Sequence, residues 1–171
     1  MSDNCTDPIG RMCSVQDFTI EYINNSQTIL YYFPDDAAIA FTASVPVDSP
    51  FRFGTVLTNI GGHYNQNTGS FTCAVPGLYY FSYHLVKKRA DPRVDACGCS
   101  LGKNVVSVGI KAYIDPQDPF TSGGADMRSY GVSNGAYLNL FRGDTVQLVD
   151  CSSVNYFESW SSFSGVLVKA F

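Results

Sequence analysis

Short segments of alternating apolar and polar residues, broken by Gly, Asn and Pro, run along almost the whole chain. DFTIEYI (17–23) alternates and puts Phe18, Ile20 and Tyr22 on one face. AIAFTASV (38–45) is a short apolar run, and FRFGTVLTNI (51–60) alternates until it meets Gly61-Gly62. HYNQNTG (63–69) is turn material. SFTCAV and LYYFSY read as two strands on either side of Pro76-Gly77, a corner where the chain can pass from one sheet to another. Alternation sends Phe71, Cys73 and Val75 to one face, and sets Leu78, Tyr80 and Ser82 opposite Tyr79, Phe81 and Tyr83. RVDACGCSLGKN and VVSVGIKAYI read as strands around Lys103-Asn104. AYLNLF, Arg142-Gly143-Asp144 and TVQLVD read as a hairpin, and SSFSGVLVKAF as a final strand reaching the last residue. Short strands at this spacing predict an all-β sandwich or barrel with almost no helix.

Composition narrows the classes. A chain of 171 residues with 45% hydrophobic and only 15% charged residues is a folded, core-rich single domain. The net charge is -4, and no basic cluster is larger than Lys87, Lys88 and Arg89, so a nucleic-acid reader is excluded. No apolar run approaches the ~20 residues that span a bilayer, so no membrane insertion is expected. The opening MSDNCTDPIG shows neither a charged n-region nor an apolar h-region of a signal peptide. Residues 1–16, polar and holding two cysteines, read as a tail, and 17–37 as an extra strand-like segment. The domain proper is 38–171.

The cysteines point outside the cell. Cys5, Cys13, Cys97, Cys99 and Cys151 are candidates for disulfides, while Cys73 reads as a buried thiol. Cys97 and Cys99 share a strand face. One of them could pair with Cys151 if their strands are neighbours. Cys5 and Cys13 could close a tail loop or bridge to another chain. Asn4 and Asn24 head glycosylation sequons. Gly131-Val-Ser133-Asn-Gly135 and Gly98-Cys-Ser100-Leu-Gly102 match a nucleophile-elbow pattern. Each lies among strand patterns, and both histidines precede both serines, so no enzyme is expected. His63 and His84 read as a surface and a strand-end histidine. In the loop 112–127, Asp115, Asp118 and Asp126 offer oxygen ligands that would suit calcium, though no cofactor is required.

From about Ala38 to Phe171 the chain resembles the complement C1q-type globular domain of the tumour-necrosis-factor-like jelly-roll superfamily. AFTA (40–43) resembles the family's first strand. In FRFGTVLTNIGGHYNQNTGSFTCAVPGLYYFSYHL, residues Phe53, Asn59, Tyr64, Gly69, Phe71, Pro76, Gly77, Tyr79 and Phe81 fall where the family pattern places such residues. GAYLNLFRGDTVQL resembles its strand–Gly-Asp–strand unit, and FSGVLV its closing strand. The chain departs from the pattern in KKRADPRVDACGCS, which is longer and richer in cysteine, and in the acidic loop, whose length differs. Residues 1–37 hold no collagen-like run.

The resemblance implies a jelly roll of two antiparallel sheets and about ten strands, with the first and last strands side by side. It implies a secreted, non-enzymatic homotrimer that binds an extracellular protein or glycan, with calcium in some members. Multivalent innate-immune or lectin-like recognition of surface patterns is the leading expectation. A signalling or synapse-organiser-type ligand for one receptor, or a matrix assembly component, are the alternatives. Twelve Phe and eleven Tyr exceed what one small core needs, and apolar surface left over marks an interface. The aromatics expected in the core or between subunits are Phe41, Phe53, Tyr64, Phe71, Tyr79, Tyr80, Phe81, Tyr83 and Phe163.

Overall fold

The computed structural model describes residues 38–48, 50–88, 97–114 and 130–171, together with the backbone of three strands between 13 and 30. The chain divides into two compact units, Met1–Ala37 and Ala38–Phe171. In the first, β1 (Cys13–Val15), β2 (Phe18–Ile23) and β3 (Ser26–Leu30) form an antiparallel sheet in the order β1-β2-β3. The first of these strands falls within the expected tail.

The second unit holds ten strands among its described residues. They are β4 (Ala40–Val47), β5 (Arg52–Ile60), β6 (Tyr64–Asn65), β7 (Ser70–Thr72), β8 (Gly77–Val86), β9 (Cys97–Lys103), β10 (Val106–Ile114), β11 (Gly131–Leu140), β12 (Thr145–Val149) and β13 (Ser162–Ala170). Two five-stranded sheets result. Sheet I has the order β11-β8-β13-β4-β5, and sheet II the order β10-β9-β12-β7-β6. All pairings are antiparallel, and β4 lies beside β13, so the first and last strands of the domain are neighbours. This is the jelly-roll arrangement.

The period-2 pattern explains the core. Along β8, Tyr79, Phe81, Tyr83 and Leu85 are buried, and the residues between them are partly exposed. Phe41 on β4 lies at the centre of the aromatic packing. It stacks on Tyr64 at 4.6 Å and Phe71 at 5.7 Å, and meets the edge of Phe163 at 5.0 Å. Gly165 lies opposite Phe41 in register, and a methyl there would come 2.5 Å from the Phe41 ring and 2.6 Å from Phe81. The missing side chain is what lets the two rings pack. The buried tyrosines have partners, as burial of a hydroxyl requires. Tyr79 donates to the Val75 carbonyl at 2.6 Å, and Tyr64 to that of Phe53 at 3.2 Å. The Tyr83 hydroxyl lies 3.1 Å from the Cys99 and Ile110 carbonyls, tying sheet I to sheet II.

Two corners carry the chain between sheets side by side. Residues 73–77 lead from β7 in sheet II to β8 in sheet I, and residues 141–144 lead from β11 in sheet I to β12 in sheet II. They bond to each other: Cys73 N donates to Asp144 O, and Gly143 N to Cys73 O, both at 2.8 Å. The expected hairpin at Arg142-Gly143-Asp144 is therefore a corner. Its flanking strands pair with β8 on one side and with β7 and β9 on the other. Local turn signals are the same for a hairpin and for a corner; long-range register decides between them. Gly143 has φ +89, a value that favours glycine, and the turn closes with Asp144 N donating to Phe141 O at 3.0 Å.

Asp144 fastens this corner. Its carboxylate accepts from Asn104 Nδ2 and the Phe141 amide, each at 2.8 Å, and pairs with Lys103 Nζ at 2.8 Å. The Asn104 bond first, then Lys103 and the Phe141 amide, pull its pKa from 3.8 to about 2. A depressed folded-state value means that Asp144 stabilises the fold above the ordinary carboxylate pKa of 3.8. That contribution disappears as pH falls toward about 2. Asp144→Asn is therefore expected to melt below wild type at pH 7, with the gap narrowing through that acid window. A gap of constant size would overturn the assignment.

Candidate functional site

Register fixes what the outer face of sheet I presents. Its strands align residue by residue, so side chains across five strands form rows. One row runs Ile60, Ala40, Val166, Tyr80, Tyr137, all of them apolar or aromatic. The next runs Thr58, Thr42, Ser164, Ser82, Gly135, and the third Thr55, Ser44, Ser162, His84, Ser133. None of these fifteen residues is Asp, Glu, Lys or Arg, on a chain in which 15% of residues are charged.

The apolar row is left uncovered by the domain itself. Ile60, Val166 and Tyr137 are 51%, 41% and 64% exposed, values high enough to make the row a continuous apolar band on the surface. Tyr80 and Tyr137 are cross-strand neighbours with ring centroids 4.8 Å apart. Tyr80 therefore differs from the other expected aromatics. Phe41, Phe53, Tyr64, Phe71, Tyr79, Phe81, Tyr83 and Phe163 are buried inside the sandwich. The polar rows are partly self-satisfied. Thr42 Oγ1 and Ser164 Oγ lie 3.1 Å apart, and His84 Nδ1 and Ser133 Oγ 2.7 Å apart. Ser133 is mid-strand in β11 and Ser100 mid-strand in β9, so neither has the strand-to-helix turn a nucleophile elbow requires.

The cysteines separate by register. Cys99 is bonded to Cys151, with Cα atoms 4.1 Å apart. Cys97 was a disulfide candidate on the same strand face, and the structure overturns that: it is a free, fully buried thiol. A position two residues along a strand is displaced by about 6.6 Å, so only one of the pair can stand directly opposite Cys151. Burial pushes the Cys97 thiol up to about 11, against the opposing influence of Lys87. Cys73 is also free and buried, and donates to the Val75 carbonyl at 3.1 Å. Burial raises its pKa as well. Both thiols should resist alkylation in the native protein at neutral pH and react on unfolding. Rapid native labelling of either one would contradict their burial.

Asp115, Asp118, Asp126, Cys5, Asn4 and Asn24 lie outside the described residues, as does the side chain of Cys13. Among the described residues, no group of three His, Cys, Asp or Glu is placed to hold a metal ion, and no helix is long and apolar enough to cross a membrane. Sequence reasoning did not pick out Val166, Ile60, Ala40 or Tyr137 as site residues. Each looks like an ordinary strand residue until the register sets them in one row.

Comparisons with known proteins agree with this architecture. The C1q domain family model matches residues 37–168. The complement C1q tumor necrosis factor-related protein 5 of Rattus norvegicus is 50% identical over 50 residues, which are 29% of this chain and 21% of that protein. The related protein 2 of Mus musculus is 47% identical over 49 residues, 28% of this chain and 17% of that protein. These matches thus span about a fifth of the relatives' length. Among solved structures, the globular domain of zebrafish complement 1qA superposes with a TM-score of 0.57 at 24% identity, covering 78% of this chain and 98% of that one. With a family match over most of its length and ten strands in two antiparallel sheets, the chain belongs to the C1q domain family.

Proposed function

We propose that this protein is a secreted, non-enzymatic binding module that works as a homotrimer and recognises repeated groups on a surface, in the manner of innate-immune or lectin-like recognition. The observation that carries the reading is the outer face of sheet I. Three successive rows of that face carry no Asp, Glu, Lys or Arg, and the Ile60–Tyr137 row among them exposes apolar and aromatic side chains to water. Such a band favours an interface, and a copy of the same chain meets no like-charge repulsion there. A closed ring of three covers the band without leaving a growing end. C1q domains generally trimerise, which favours three over other closed rings. Three weak sites held together then gain by multivalency on a patterned surface. The disulfide Cys99–Cys151 agrees with an oxidising, extracellular location.

Light scattering should give about three times the 18.7 kDa chain mass. A monomer at micromolar concentration would sink the trimer. A panel of glycans, microbial cells and extracellular receptor domains then separates the two recognition readings. Modest binding to many repetitive surfaces supports the first, and one tight protein partner supports a signalling ligand instead.

A further inference from the structure

The third row on the outer face of sheet I holds a group that can change its charge. His84 on β8 stands between Ser162 on β13 and Ser133 on β11, and Ser44 and Thr55 complete the row. Its ring is laid over β11. Nδ1 lies 2.7 Å from Ser133 Oγ, and a methyl built on Gly131 would come 2.9 Å from the imidazole Cε1 and 3.3 Å from Nε2. The missing side chain at 131 is what lets the ring lie down there. Nε2 has no hydrogen-bond partner among the described residues. The side chain is partly exposed, so in a free subunit water can serve that nitrogen.

Among the described residues, its neighbours on the face offer no compensating charge. They are Tyr80 and Ser82 on β8, Ser162 and Ser164 on β13, and Gly131, Ser133 and Gly135 on β11. Charged residues come in only beyond these positions. Glu158 donates its amide to the Val86 carbonyl at 2.8 Å, Lys87 and Lys88 follow the end of β8, and Asp48 and Arg52 lie at the turn from β4 to β5. Past the β11 edge, the Lys111 ammonium sits over the Tyr113 ring, 4.3 Å from its centroid.

We propose that His84 makes assembly of this protein pH-dependent, so that three subunits hold together at neutral pH and separate in mild acid. This rests on the trimer reading above and adds its regulation. An interface of standard size takes about 800 Å² from each partner, a patch of about 16 Å radius. His84 lies one strand across and four residues along from Val166, the middle of the apolar row, which is about 14 Å. An interface centred on that row therefore covers it. Histidine is the side chain that ordinarily changes charge between pH 5 and 8. Neutral, the ring fits the interface as its serine neighbours do. Protonated, both ring nitrogens donate. Ser133 Oγ can take one of them, and Nε2 is left with charge but with neither water nor a carboxylate. Assembly therefore releases protons, and acid opposes it. The interface is at full strength at neutral pH and weakens as pH falls through the range in which an exposed imidazole gains its proton. A closed ring repeats the effect at each of its interfaces.

Light scattering on a dilution series of the whole chain, at pH of about 7.5 and about 5.5, tests the proposal. The concentration at which half the trimer has dissociated should rise at least about tenfold in the acid series. The far-ultraviolet spectrum should not change, and returning to neutral pH should restore the trimer, which separates release from acid unfolding. His84→Gln keeps a neutral hydrogen-bonding side chain and should dissociate alike at both pH values. His84→Lys fixes the charge and should be a cooperatively melting monomer at both. A wild-type trimer that dissociates alike at both pH values would overturn the switch and leave the trimer standing. His84→Gln that loosens in acid as wild type does, or a trimeric His84→Lys, would overturn the assignment to His84. A wild type that is already monomeric at neutral pH would instead overturn the trimer reading, and the switch with it.

Discussion

Val166→Asp should behave as a folded monomer of 18.7 kDa where wild type gives about three times that mass. Val166 is the middle residue of the apolar row on sheet I, paired with Ala40 on one side and Tyr80 on the other. In the isolated domain it is 41% exposed, so a carboxylate there keeps its water and the sandwich should still form. In a closed trimer the same carboxylate would be taken out of water three times over, with no Lys or Arg in its own row or in the two polar rows beyond it. An unpaired buried charge costs several kcal/mol, and a ring repeats that cost at every interface. Assembly should thus fail while the far-ultraviolet spectrum and the melting cooperativity survive. Val166→Thr, similar in shape and uncharged, should remain largely trimeric at micromolar concentration. A trimer that tolerates Val166→Asp would mean that this row lies outside the interface, and the functional reading would lose its support.

Phe41→Ala is expected to lower stability by about 3–5 kcal/mol, the range for deleting a buried aromatic side chain. The melting temperature should fall by about 10 °C for a chain of this size. Phe41 is 2% exposed and has ring contacts with Tyr64, Phe71, Phe81 and Phe163, so no single neighbour can move in to fill the gap. Gly165→Ala approaches the same spot from the other side. It adds a methyl where two rings already meet and should cost about 1–3 kcal/mol by overpacking. The two changes together should cost less than their sum, because the smaller residue at 41 makes room for the methyl at 165. A loss under 1 kcal/mol for Phe41→Ala, measured by urea melts, would show that this cluster is not the centre of the core.

Much of this was legible in the chain itself. Alternation in GLYYFSYHLV by itself separates Tyr79, Phe81 and Tyr83 from Leu78, Tyr80 and Ser82, because a strand's side chains point to opposite faces in strict turn. Pro76-Gly77 marked a corner for an equally local reason. At Arg142-Gly143-Asp144 the same kind of local signal misled. The turn chemistry is compatible with a hairpin, but β11 finds its partner in β8, more than fifty residues earlier. The cysteines show the same limit. Spacing put Cys97 and Cys99 on one face, and Cys151 could have suited either until register set it opposite Cys99.

What the sequence determined alone is the longer strands of the domain, the two faces of each, the family and the excess of aromatic residues over one core; the two-residue β6 lies in a segment that reads as turn, and β1 in one that reads as tail. Those properties are local or compositional, and period-2 patterning writes them directly. What only the tertiary structure decided is which face of each strand turns inward, which five strands share a sheet, and therefore that Ile60, Ala40, Val166, Tyr80 and Tyr137 stand in one uncovered row. These five residues come from five separate strands. Their adjacency depends on hydrogen-bond register between segments distant in the chain, and a register shift of one residue would turn each of them to the opposite face.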